Sequence, residues 1–142
     1  MLSIELAQRL KNAGLEWMPE LHDFFVIPEA SLEGRLFVLS DMQANLEQYR
    51  GAPVVTFHGA LEWALDYILQ QEVVWVPTEE QLREHLAALV PVFSLRRAPA
   101  GYTCHIDLQG QELSFQAASG CDAYGEALLH VLLFHSMREG AN

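Results

Sequence analysis

Residues 102–117 alternate apolar and polar side chains on either side of a Gln109-Gly110 pair. A two-residue turn at that pair places Cys104 opposite Phe115 and brings the apolar side chains of both strands onto one face. A slip of one residue would turn one apolar set towards solvent, so the register is strongly specified. The pattern therefore predicts a C-terminal β-hairpin in which Cys104 is a small core residue.

Further strands are predicted where short, continuous apolar runs are bounded by turn or polar residues. They are Phe24–Ile27, Leu36–Leu39, Val54–Phe57 and Val73–Val76. Residues 41–50 fit either a helix with a weak apolar stripe or an extended segment. Residues 93–101, which include Arg96-Arg97, are predicted to form a loop.

Four helices are predicted from capping residues and apolar periodicity. Ser3 can cap the first. The clearest stripe, with apolar residues at i, i+3, i+4, i+7 and i+8, covers residues 61–69. Residues 78–81 form a capping box for the third helix. The last helix begins near Ser119 or Asp122 and is apolar over much of its circumference.

The order of these elements predicts an α+β fold, because strands and helices do not alternate strictly and at least one strand pair is a hairpin. We expect a mixed sheet of about five to six short strands, including the C-terminal hairpin, packed by three to four helices. The length of 142 residues predicts that residues 1–142 form a single domain.

The net charge of −11 argues against two classes of partner. Nucleic acid and anionic membrane surfaces are both bound through Lys and Arg side chains, which are scarce here. No signal peptide or apolar run long enough to span a bilayer is recognisable, and the two cysteines form no metal-binding cluster. We therefore expect a cytoplasmic protein with reduced thiols.

One set of residues has the composition of a metal site. His58, Glu62 and Asp66 are spaced four apart at the start of the predicted helix 61–69, so they would share one face. A histidine and two carboxylates could bind a divalent metal ion or act as an acid–base pair. The same face lies opposite the apolar stripe, where polar residues are ordinarily solvated, and we favour that interpretation.

Two further residues are weaker candidates for chemistry. Asp41 directly follows a buried strand and could be a catalytic carboxylate or a helix cap, of which we favour the cap. Cys121 precedes the last helix, whose N-terminus could favour the thiolate, but no neighbouring base is identifiable. The sequence contains no GxSxG, Walker A, GxGxxG, HExxH or EF-hand motif, and no cofactor is predicted.

Three aromatic residues are candidates for a protein interface. Trp63 and Tyr67 stand four apart, off the apolar stripe of the predicted helix 61–69, and Phe134 belongs to the apolar last helix. Aromatic side chains are enriched in interfaces. We therefore expect a protein partner or self-association as a homo-oligomer.

Several stretches resemble a small family of uncharacterised bacterial proteins, chiefly from filamentous green bacteria. They are Leu6–Trp17, His22–Phe25, Phe37–Met42, Glu62–Tyr67 and Ala123–Leu129. Some family members are labelled "pilus assembly protein". The resemblance implies an accessory role in pilus assembly and brings no catalytic residues with it. Together with the missing motifs, it favours a non-catalytic interaction domain. The alternative is a small-ligand-binding or metal-dependent enzyme that uses the His58 set.

Overall fold

A computed structural model of the protein describes residues 1–28, 35–40, 44–57 and 67–140, with the backbone alone for residues 44, 45, 57, 67 and 68. In these ranges the helices are α1 (Ile4–Asn12), α2 (Glu79–Leu89) and α3 (Gly120–Gly140). The strands are β1 (Phe24–Val26), β2 (Leu36–Val38), β3 (Ala44–Tyr49), β4 (Ala52–Phe57), β5 (Tyr67–Leu69), β6 (Val74–Val76), β7 (Phe93–Ala98), β8 (Gly101–Leu108) and β9 (Gln111–Ala117). The predicted α+β class is confirmed.

The chain folds as two compact units. Unit 1 comprises Met1–Glu16 and Pro77–Asn142, and unit 2 comprises Trp17–Val76. That the two units make up a single domain stays a prediction.

The strands form three small sheets in place of the predicted mixed sheet. Their orders are β2-β1-β6, β3-β4-β5 and β7-β8-β9, and every pair among the described strands is antiparallel. A parallel pair needs a crossover connection of a dozen residues or more, usually a helix. The predicted helix 61–69 would have supplied such a connection, but its last three residues form β5.

Two local predictions are wrong, and for the same physical reason. Residues 67–69 were expected to be helical, but they pair with residues 54–56 of β4. Residues 93–98 were expected to be a loop, but they pair with β8 as β7. In both segments the backbone hydrogen bonds are made to a neighbouring strand, which local periodicity does not reveal. The ambiguous stretch 41–50 is extended over 44–49.

The predicted hairpin has the expected register, and it belongs to the three-stranded sheet of unit 1. Cys104 pairs with Phe115 and Leu108 with Gln111. The turn residues Gln109 and Gly110 both have positive φ, 53° and 85°, as a type I′ turn requires. The Asp107 carboxylate accepts a hydrogen bond from the Gly110 N–H at 2.9 Å, which holds the turn.

In unit 1 the three helices are anchored by caps and close packing. Ser3 caps α1 as predicted, and its own N–H donates to the Asp122 carboxylate of α3 at 2.9 Å. The capping box of α2 is also confirmed. α3 packs on β7, β8 and β9 and contacts α1 and α2. Gly125 lets α1 approach α3, because Leu2 and Leu6 occupy the space of a side chain there.

In unit 2 the core is built from aromatic and β-branched side chains of two sheets. The Phe25 ring lies 5.7 Å from the Trp17 ring and 5.6 Å from the Phe37 ring. Val55 of β4 and Val73 are buried in the same cluster. These contacts tie the segment before β1 to both sheets of the unit.

Asp23 organises the segment that leads into β1. It is buried, and its Oδ2 accepts hydrogen bonds from Trp17 Nε1 and from the Glu20 backbone N–H, both at 2.9 Å. A buried carboxylate is stable only when such donors replace its hydration. Asp23 therefore orders a stretch that has neither helix nor strand.

Candidate interaction surface

The predicted metal site lies outside the described residues. Residues 58–66 are not described, and they include His58, Glu62, Asp66 and Trp63. Residues 41–43, which include Asp41, are not described either. Among the residues that the structure does describe, no group of three or more His, Cys, Asp or Glu is placed to hold a metal ion. The metal site and its alternative, a solvated helix face, both stay predictions.

Tyr67 belongs to a strand and not to the predicted helix. Its backbone pairs with Thr56 at the start of β5, so the helical spacing that would align Tyr67 with Trp63 does not extend to this residue. Its place in an interface stays a prediction.

Both thiols are enclosed in unit 1. Cys104 is 0% exposed, and burial raises the pKa of its thiol from 9.0 to about 11. It is therefore a neutral, packed thiol at physiological pH, as predicted for a core residue. Cys121 is also buried, in the first turn of α3.

The polar face of the β7-β8-β9 sheet has a hollow of about 370 Å³. On its floor His105 Nδ1 lies 2.8 Å from Ser114 Oγ, and Ser94 pairs with His105 from the other side. Both partners are exposed, and the nearest carboxylate along β8, Asp107, is bonded to the turn. A nucleophilic serine needs a base that is itself oriented by a third group. We therefore interpret this hydroxyl–imidazole pair as a feature of the polar surface.

The C-terminal part of α3 is exposed although it is apolar. After Val131 no described residue of this helix is buried. Leu133 is 47% exposed and Met137 76% exposed, and Phe134 between them is half-buried. These three residues are called the α3 apolar end below. The helix thus continues beyond the packing that holds its first half.

The α3 apolar end lies towards β9. The His130 ring packs against the Phe115 ring of β9 with centroids 5.4 Å apart. Leu133, Phe134 and Met137 follow His130 by three, four and seven residues, which places them on the same side of the helix. The exposed apolar side chains therefore lie on the side of α3 that faces the outer strand of the sheet.

Sequence reasoning identified part of this surface. It singled out Phe134 from the apolar circumference of the last helix, but not Leu133 or Met137, because nothing local shows where the packing of a helix stops. Phe115 was assigned to the core face of the hairpin. That it lies on an outer strand depends on the strand order.

No described helix is both long and apolar enough to cross a membrane. Comparison of the chain with protein-family models, with curated proteins and with solved structures found no match.

Proposed function

We propose that this protein is a non-catalytic interaction domain that self-associates through the α3 apolar end. The observation that carries the proposal is the exposure of Leu133 and Met137 beside the half-buried Phe134. Contiguous exposed apolar side chains on a soluble protein mark interaction sites, because leaving them in water is unfavourable. Full burial of one such side chain contributes about 1.5–3 kcal/mol.

Charge restricts where two copies of the chain can meet. The protein carries a net charge of −11, so two copies repel over most of their surfaces. The stretch from Ala127 to Met137 contains no Asp, Glu, Lys or Arg, which makes it a place where two copies can meet without opposing like charges. The Arg138 guanidinium borders this stretch and lies over the Phe134 ring, 5.8 Å from its centroid. An apolar patch is self-complementary, as an interface with twofold symmetry requires.

The resemblance to proteins labelled "pilus assembly protein" supports an accessory role in pilus assembly as part of this proposal. An accessory role in assembly needs no catalytic residues. We also propose that the protein is cytoplasmic and that it does not bind nucleic acid.

Sedimentation equilibrium over a range of protein concentrations tests the self-association. We expect the mass to rise from 16.0 kDa towards twice that value. The double variant L133D/M137D should weaken the association by at least about tenfold, because each copy would bring two carboxylates into the contact.

The matched control is V92D. Val92 is 64% exposed and directly precedes β7, at the edge of the sheet opposite β9, so a carboxylate there should leave the association unaltered. The proposal is wrong if the wild-type protein remains at 16.0 kDa at every concentration, or if L133D/M137D associates as the wild type does.

A further inference from the structure

The free edge of β9 has the geometry of a pairing site. Among the described strands none lies beyond β9, which ends the sheet order β7-β8-β9. Leu108 and Gln111 flank the two-residue turn, so they form a hydrogen-bonded pair, and such pairs alternate along the two strands. Glu112, Ser114 and Gln116 therefore direct their backbone N–H and C=O groups away from β8, towards the free edge.

The apolar side chains of β9 are incompletely covered. Leu113 and Phe115 are only half-buried, whereas Cys104 and Ile106, opposite them on β8, are 0% and 3% exposed. A further strand beside β9 would cover the exposed part of both side chains.

We propose that β9 strands of two copies pair antiparallel about a twofold axis at Ser114, which joins the two three-stranded sheets into one of six strands. This inference rests on the proposed self-association and names its contact. Each copy would supply the outward N–H and C=O groups of Glu112, Ser114 and Gln116, for about six backbone hydrogen bonds in all. The α3 apolar end lies on the same side and would be covered by the second copy.

The register follows from the alternation of the outward groups. In a hydrogen-bonded pair, both residues must direct their backbone N–H and C=O groups towards the other strand. This requirement limits the twofold axis to a few positions along β9. An axis at Ser114 pairs all seven residues of β9 and puts Glu112 opposite Gln116 of the second copy. It also packs Leu113 against Phe115 of the second copy. An axis at Glu112 would oppose two carboxylates, and an axis at Leu113 or Phe115 would shorten the paired stretch.

The opposite edge of the sheet is less suited to the same contact. β7 carries Arg96 and Arg97, and charged side chains on an edge strand disfavour pairing with another copy. β9 has Glu112 as its one charged residue in seven, and it contains no proline. The observations therefore favour β9.

Disulfide trapping tests the register. In S114C the two introduced thiols would face each other across the axis, at the Cα separation of about 5.5 Å expected for such a pair, which a disulfide can bridge. Mild oxidation should give a covalent dimer with a 114–114 link in mass spectrometry. Wild-type protein should give none, because Cys104 and Cys121 are buried.

The control is Q116C. In the proposed register the two introduced thiols of Q116C lie four residues apart along the strands, roughly 13 Å, which is too far for a disulfide. A mixture of E112C and Q116C should cross-link instead, because those positions face each other. Circular dichroism verifies that each variant is folded.

The outcomes separate this inference from the proposed function. If S114C sediments as a dimer but forms no link, or if Q116C links as readily as S114C, the β9 register is wrong while self-association stands. A protein that remains at 16.0 kDa in sedimentation overturns both. A link at residue 114 that disappears in the L133D/M137D background supports one shared contact.

Discussion

Burial of the Cys104 thiol makes the stability of the protein depend on alkaline pH. In the unfolded chain this thiol would ionise near its ordinary pKa of 9.0, whereas in the folded protein burial raises the pKa to about 11. Between these values the unfolded state releases a proton that the folded state retains. The stabilisation is therefore fully present below about pH 9 and is lost as the pH rises towards 11.

The size of the effect follows from the two pKa values. A difference of two units, from 9.0 to about 11, corresponds to about 3 kcal/mol, at roughly 1.4 kcal/mol for each unit. This is an appreciable fraction of the free energy of unfolding of an ordinary domain, about 5–15 kcal/mol. The loss should therefore be measurable by urea unfolding.

The assay compares the wild type with C104A between pH 7 and 11, in reducing buffer, with circular dichroism as the probe. C104A should be less stable at pH 7 by roughly 1 kcal/mol, since it leaves a small cavity, but should lose less stability as the pH rises. Burial also raises the pKa of Tyr124, and a Cys104 thiolate would raise it further, so the double variant C104A/Y124F should have a smaller slope than C104A. An unchanged slope in C104A would refute this assignment.

Two further predictions concern packing, and both are measured by urea unfolding. D23A removes the acceptor of two donors, the indole N–H of half-buried Trp17 and the Glu20 backbone N–H, and should cost roughly 1–3 kcal/mol; a loss below about 0.5 kcal/mol would contradict the role of Asp23. In G125A the new methyl group would lie 2.7 Å from Leu6 Cδ2. The overpacking, about 1–3 kcal/mol, should exceed the gain in helix propensity of about 1 kcal/mol. G140A has open space and should not be destabilised, so equal effects of the two substitutions would argue against close α1–α3 packing.

The candidate surface could be predicted only in part. Phe134 was recognised because the last helix is apolar over much of its circumference, which is typical of a helix in a core or an interface. The free edge of β9 was not predicted. Residues 93–98 pair with the other side of β8, which leaves β9 as an outer strand, and this pairing is not visible in the sequence. The expected metal ligands and Trp63 fall outside the described residues, so their roles stay predictions.

The sequence alone determined those features that depend on near neighbours in the chain. Ser3 and the capping box at residues 78–81 satisfy helix N–H groups within one turn, and the alternation over residues 102–117 sets a register that a slip would destroy. Only the tertiary structure decided that residues 67–69 and 93–98 are strands and where the packing of α3 stops. A strand is stabilised by partners distant in sequence and a helix end by what packs on it, and neither is visible in local periodicity.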